Sequence, residues 1–554
     1  MNIGCSESNS LIKPQTFLVE ILSKIKNKDL YNLIKRYSEL ETLSYRDVVI
    51  IYNQILPKSL WDDWAGVQLT PPLNIPKNIP FNVNFSKEWY YFNTNGYFKD
   101  QSGKNVRFYM LRVLKRSRVI CPFGSEDTPW LFSDVISIYA QNGLKIVEHV
   151  SAPGYSSANA NPNNNTKPYF LISSNPLEIR YITNESSNTA PMGMGNKNYR
   201  ALSLDKGVLT TEFSKNDIYY NFSCTCNKDI LLQGENLDGL DPPANNLISK
   251  VSGASYLYFS WPSWVLNNNG YLMYKNDRYN MVQNNSTLPF TFWLDHQGGV
   301  VKGSESPLLE QFALIAGARP KVFPGWNWFS LQFFDGTQFT GYGNKPKEND
   351  VNDVEQMVKG TWSDKKGNLS WLKGSKKITD WWKSPDSGTN FAVGYEIKLP
   401  GKDTYKLVSI IKDQRAPQEG LEQYEGGCDI FNSAGQRVGM GNLECIGWPN
   451  IDERITYINK SLSSPLSSAE QNNIKENLAP TTNKLKVVII IGAIVLAVCL
   501  YLLLNLLSKN LRVRRYYIYN IPISLLLSVL ITWIIIIILK YMLCQKTWTC
   551  SLSK

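Results

Sequence analysis

The sequence predicts a mainly β protein made of two antiparallel sandwiches or barrels, with a small helical module before them and a transmembrane helical hairpin after them. Three observations lead there. Short alternating runs rich in aromatic residues, parted by Gly, Asn and Asp turns, recur from about residue 85 to residue 449. Aromatics make up 12% of the 554 residues, a bias that suits half-buried pleated strands. Near the C-terminus lie two apolar runs of membrane-crossing length.

Residues 1–60 form the expected helical module. Phe17, Ile21 and Ile25 with Leu18 and Leu22 make one apolar stripe at helical spacing, and Leu30, Leu33, Ile34 and Tyr37 make another. Residues 61–80 follow as a linker, because Leu69–Pro80 holds four Pro in twelve residues and cannot continue a helix. Strands begin with Trp89–Phe92 and Val106–Val113. The same grammar returns at Tyr256–Trp261, Phe290–Leu294, Trp328–Phe334 and Tyr405–Ile411. A strand-rich stretch of about 365 residues exceeds one hydrophobic core. It is divided here into β domains over 81–247 and 248–455. A polar, aromatic-poor segment over 456–483 then links them to the apolar runs at 487–507 and 517–539.

Each run has about the 20 residues that span the ~30 Å hydrocarbon layer, and each is apolar all round. The link between them is too short for anything but a hairpin turn. Its four basic residues, Lys509, Arg512, Arg514 and Arg515, place it on the cytoplasmic side by the positive-inside rule. Residues 1–20 lack the basic start and apolar core of a signal peptide, so the sidedness of the large domain stays open. The expected partner is the lipid bilayer, and the expected location is that of an integral membrane protein held by its C-terminal hairpin.

The net charge of +11 suggests a nucleic-acid binder until it is located. Nine Lys or Arg and no acidic residue lie between Lys484 and Lys554, which leaves +2 for residues 1–483. A basic footprint belongs on the folded domain, so nucleic acid is not an expected partner. No Cys pairs occur at zinc spacing, and His149 and His296 are the sole histidines, so no metal site is expected. Cys224-Thr-Cys226 fits alternate positions on one strand face. The sequence also holds no GxSxG, no GxxxxGK[ST] and no HExxH, so no cofactor is expected.

Five segments, in order, resemble the CrtC/AttH-like family, carotenoid 1,2-hydratase and its relatives. Glu88-Trp-Tyr-Tyr91 looks like the family's EWWY, and Thr291–Gln297 (TFWLDHQ) like its aWxDHxW. Gly325–Gly336 (GWNWFSLQFFDG) is similar to GWDWFSLQLDDG. Trp382 with Lys383–Pro400 resembles the W-SP-x-TG-x-x-YP stretch. Tyr424-Glu-Gly426 followed by Gly441–Trp448 (GNLECIGW) resembles the closing WEG…GYxELTGY. The likeness spans roughly 81–450. It implies a tandem of lipocalin-like β domains. The chain departs from the pattern where Gly298 and Gly299 replace the Trp after DHx, where Tyr424 stands for Trp, and where Cys445-Ile446 replaces Leu-Thr.

The resemblance implies addition of water across an isolated C=C of a lipophilic polyene without a cofactor. An alkene is a weak base, so such a site needs a protonated acid and protection for the cation that forms. A carboxyl group in an apolar pocket stays protonated at neutral pH, and aromatic faces stabilise a cation. By resemblance Asp295 is the acid, His296 orients it or holds water, and Glu425 is a second carboxyl. Trp89, Tyr90, Trp293, Trp326, Trp328 and Tyr424 are the candidate wall. The plainer alternatives are an Asp-His pair bonded in a turn and tryptophans that fill the β core. The functional expectation is therefore a membrane-anchored hydratase, lyase or isomerase acting on an isoprenoid-like hydrophobic molecule. Two alternatives stand beside it: a non-catalytic lipid-binding module, and a structural envelope protein on the same fold. Oligomeric state is not legible.

Overall fold

The structure, a computed structural model, describes residues 13–56, 87–118, 129–157, 169–174, 177–182, 198–240, 254–301, 326–344, 355–416, 422–446 and 451–478, except 206, 216, 268–269 and 283–287. The Pro-rich segment and both apolar C-terminal runs lie outside the described residues. Among the described residues, no helix is long and apolar enough to cross a membrane.

Three helices open the chain: α1 (Pro14–Leu22), α2 (Lys28–Ser38) and α3 (Tyr45–Ile50), the last continuing as a wider turn over Ile51–Ile55. Local chemistry sets their starts. Asn27 caps α2 by accepting from the backbone N–H of Asp29 and Leu30 at 2.9 and 3.0 Å. Ser44 and Asp47 form a reciprocal capping box on α3. The stripe Leu30, Leu33, Ile34 and Tyr37 is buried. It meets partners from much later in the chain, because the stretch expected as a polar linker over 456–483, with the residues just before it, holds two helices, α4 (Ile451–Ser461) and α5 (Ser468–Leu478). Ile455, Ile458, Leu462, Leu466 and Ile474 complete the helical core, and Leu131 of the neighbouring sheet reaches into it. These five apolar residues, spread thinly through a polar segment, were too sparse to mark helices in the sequence.

Fifteen strands make the first sheet: β1 (Lys87–Lys99), β2 (Asn105–Arg118), β3 (Pro129–Ala140), β4 (Lys145–Ser157), β5 (Tyr169–Ser174), β6 (Leu177–Ile182), β7 (Asn198–Asp205), β8 (Val208–Lys215), β9 (Ile218–Cys226), β10 (Leu231–Leu232), β11 (Ala254–Trp261), β12 (Trp264–Leu266), β13 (Tyr271–Tyr274), β14 (Asp277–Met281) and β15 (Thr291–Val301). Strand β1 pairs with β2 on one edge and with β15 and β14 on the other, so the sheet returns on itself. The remaining eight strands close a barrel. They are β16 (Trp326–Phe333), β17 (Gln338–Asn344), β18 (Gln356–Ser363), β19 (Leu369–Lys383), β20 (Asn390–Lys398), β21 (Thr404–Ser409), β22 (Tyr424–Phe431) and β23 (Arg437–Ile446).

The division expected at 247/248 therefore falls inside the first sheet. Strands β11–β15 pair there, through nine Cα partners between β1 and β15 and eight between β11 and β15. Sequence spacing gave no sign of this, because β1 and β15 lie about 200 residues apart and only the closed ladder joins them.

The two bodies pack back to back. Arg107 pairs with Asp429 at 3.3 Å, Asn93 Nδ2 donates to Ser330 Oγ at 3.2 Å, and Gln332 Nε2 donates to the Phe292 carbonyl at 3.2 Å. The approach needs a glycine. A Cβ on Gly427 would lie 2.5 Å from Asn95 Oδ1 and 2.9 Å from the Tyr109 side chain.

Candidate acid site between the sheet and the barrel

Strand alternation sorts the candidate residues onto different faces. Along β1, β15 and β11, one cross-strand row is Tyr91–Asp295–Ser260 and the next is Tyr90–His296–Phe259. The first row faces the barrel. The second faces the interior of the sheet. Asp295 and His296 thus point opposite ways, from the middle of β15 rather than from a turn.

His296 does not orient Asp295. Its Nε2 lies 2.6 Å from Glu88 Oε1, its ring stacks on Tyr90 at 4.4 Å, and Phe259 packs edge-on at 5.0 Å. Glu88 also pairs with Arg116 at 2.6 Å. A second buried ion pair, Arg112 with Asp134, lies in the same interior, with Tyr220 bonded to Arg112 at 2.6 Å. Tyr90, expected in a pocket wall, belongs to this inner core. Tyr424 likewise faces the inside of the barrel, where Phe391 and Trp382 surround it and Gln414 Nε2 donates to its hydroxyl at 3.2 Å.

Between the two bodies the picture differs. Asp295 is 4% exposed. Its Oδ1 accepts from Trp293 Nε1 at 2.6 Å and from the Ser260 hydroxyl, and its Oδ2 accepts from Tyr258 at 2.8 Å. Burial outweighs these three donors and pushes the carboxyl up to about 7. From the barrel, Glu425 presents a second carboxyl. Its Oε2 accepts from Tyr91 at 2.8 Å and Asn442 at 3.2 Å, and its Oε1 accepts from Gln423 at 2.5 Å. Burial, with a smaller push from Asp295, raises it to about 8.

The structure adds a residue that sequence reasoning passed over. Glu444 sits directly opposite Glu425 on β23, and Trp328 sits opposite Glu444 on β16, so Glu425–Glu444–Trp328–Tyr342 is one row. Like charges in directly opposed positions destabilise a sheet. Burial and the charges of Glu425 and Asp295 accordingly hold Glu444 well above the usual carboxylate range. The signal was present in the chain. Glu425 and Glu444 lie about equally far either side of the hairpin turn at Asn432–Gln436, so a tight hairpin must oppose them.

Aromatic faces enclose the three acids. Tyr91 meets Trp328 edge-on at 5.4 Å, and Trp293 meets Trp328 at 6.2 Å and 74°. Trp326 Nε1 donates to Glu444 Oε1 at 3.1 Å, and Trp89 packs at the margin of the same cluster. Among the described residues, the acids do not converge into a group that could hold a metal ion. The arrangement suits proton transfer within an apolar, aromatic enclosure.

Comparisons with known proteins agree with the motifs. No curated protein matches the chain. Among solved structures, an AttH from Nitrosomonas europaea is 16% identical, covers 69% of this chain and 98% of its own, and has a TM-score of 0.44. Kievitone hydratase from Nectria haematococca is 13% identical over 71% of this chain and 97% of its own, at a TM-score of 0.42. CghA with Sch210972 is 10% identical over 71% and 96%, at 0.39. Since no TM-score here reaches 0.5, the assignment rests on the sequence match. The AttH-like profile matches residues 171–448, half of the chain, and the chain therefore belongs to the AttH-like family.

Proposed function

We propose that the protein is a cofactor-independent acid–base enzyme, of hydratase, lyase or isomerase type, that acts on a lipophilic isoprenoid-like molecule at the interface between two lipocalin-like units. One observation carries this reading: Asp295 and Glu425, from different bodies, are buried carboxyls bonded to Trp293 and Tyr91 of one aromatic enclosure, and burial pushes them up to about 7 and about 8. A carboxyl that is still protonated near neutral pH can deliver a proton to a weak base, and the adjacent indole and phenol faces can stabilise the cation. The anchor fits such a substrate. The apolar runs 487–507 and 517–539 would hold the enzyme at a bilayer in which the substrate dissolves.

A panel of polyenes and terpenoids, followed by mass spectrometry for gain of water or isomerisation, tests this. Turnover by the wild type and its loss in Asp295→Asn and Glu425→Gln is the expected outcome; turnover that survives both changes removes the reading. The anchor is tested separately. The full chain should stay with membranes through an alkaline wash, while a chain lacking 487–539 should be released.

A second reading has its own support. Both oxygens of Asp295 and of Glu425 are already occupied by protein donors. Such saturation suits a non-catalytic protein whose polar network fixes one body on the other. Wild type inert across the panel, with the midpoint of thermal unfolding lowered in both variants, would favour it.

A further inference from the structure

The three acids of the interface differ in what remains of their oxygens. Asp295 has two donors on Oδ1 and one on Oδ2. Glu425 has one on Oε1 and two on Oε2. Glu444 accepts one hydrogen bond, from Trp326 to Oε1, and its Oε2 accepts none among the described residues. It also keeps 9% of its surface exposed, against 4% for Asp295 and 0% for Glu425. An incoming molecule can meet the free oxygen of Glu444 without breaking a protein hydrogen bond. At either other carboxyl it must displace a tyrosine, a serine, an indole or an amide, each displacement leaving a buried donor unsatisfied.

From this geometry we infer that Glu444 is the carboxyl that presents its acid to a molecule bound between sheet and barrel, while Asp295 and Glu425 are positioning residues. Trp326 holds one oxygen of Glu444 and leaves the other without a protein donor among the described residues. Trp328, beside Glu444 in the same row and in contact with Trp293 and Tyr91, supplies the aromatic face next to the presented proton. Glu425, directly across the hairpin, opposes loss of that proton as long as either acid would otherwise become the second charge of the pair. The inference deepens the proposed acid–base reading but concerns access to the acid, which can be measured without a substrate.

Dicyclohexylcarbodiimide is the probe, because it is apolar and reacts with protonated carboxyls. The acid adds across one C=N bond: its proton goes to nitrogen and its oxygen bonds to the central carbon. The acyl group then migrates to nitrogen as a stable N-acylurea, and nothing is released. With the detergent-solubilised full chain near pH 6, peptide mapping should find at least tenfold more adduct on Glu444 than on Asp295 or Glu425. Glu444→Gln should remove that adduct while the circular dichroism spectrum is kept. Adduct preferentially on Asp295 or Glu425, or none on Glu444, overturns the inference. Labelled Glu444 in a protein that turns over nothing in the panel would sink the enzymatic reading alone. If a substrate is found, Glu444→Gln should lower kcat at least 100-fold with KM within threefold. Asp295→Asn and Glu425→Gln should also lose turnover but leave the Glu444 adduct in place, and an active Glu444→Gln would again overturn the inference.

Discussion

At the scale of single residues, the interface acids make stability depend on pH in the direction opposite to an ion-paired carboxylate. Unfolded Asp and Glu ionise near 4, whereas Asp295 and Glu425 hold their protons to about 7 and about 8. Between those limits the folded chain binds more protons than the unfolded one, so stability falls as pH rises through that window and levels off above it. We expect the midpoint of thermal unfolding to drop from pH 5 to pH 8.5. The paired change Asp295→Asn with Glu425→Gln should flatten that slope, even if the amides lower stability at pH 5 by misplacing donors. A slope unchanged in the double variant would show that these carboxyls are ionised at neutral pH. Inside the first sheet the charges are paired instead. Removing Asp134 strands the Arg112 guanidinium, which is fully buried with it. Asp134→Ala should therefore cost about 3–5 kcal/mol, read by urea unfolding.

At the scale of elements, the contact between β22 and the first sheet depends on a missing side chain. Gly427→Val would drive two methyl groups toward Asn95 and Tyr109. We expect a loss of about 1–3 kcal/mol and a change in tryptophan fluorescence, because Trp293 and Trp328 meet in the same layer. An unchanged emission spectrum and melting curve would mean that the two bodies are less closely applied than described. Helix α5 rests on a comparable long-range contact. Arg36 of α2 donates to both Glu470 oxygens, at 2.7 and 3.1 Å, and Tyr37 is bonded to Ser464 across the same junction.

At the scale of the whole molecule, residues 14–55 and 451–478 form one helical module on the first sheet. Removing residues 1–56 should leave the apolar faces of α4 and α5 uncovered, since Ile455, Ile458 and Ile474 lose their partners. The expected result is increased binding of a hydrophobic dye and an earlier loss of helical signal; a truncated chain that melts like the full one would contradict it.

Period-two alternation and turn residues fixed the β class and placed six of the twenty-three described strands. Two apolar stripes marked α1 and α2, and five collinear motifs pointed to the family. Asp295, Glu425, Trp293, Trp326, Trp328 and Trp89 could be picked out by resemblance, and all six line the contact between the bodies. Alternation says which residues share a face but not which face turns inward. That choice separated Asp295 from His296 and Glu425 from Tyr424, and it needed the closed ladders of both sheets. The row that sets Glu444 between Glu425 and Trp328 needed the barrel to close from β23 onto β16, a pairing of residues more than 100 positions apart. Likewise, α4 and α5 carry too few apolar residues to announce themselves, and they are helices on this fold because the N-terminal stripe covers the few they have. Local chemistry wrote the strands and the motifs; long-range pairing decided which of their side chains meet.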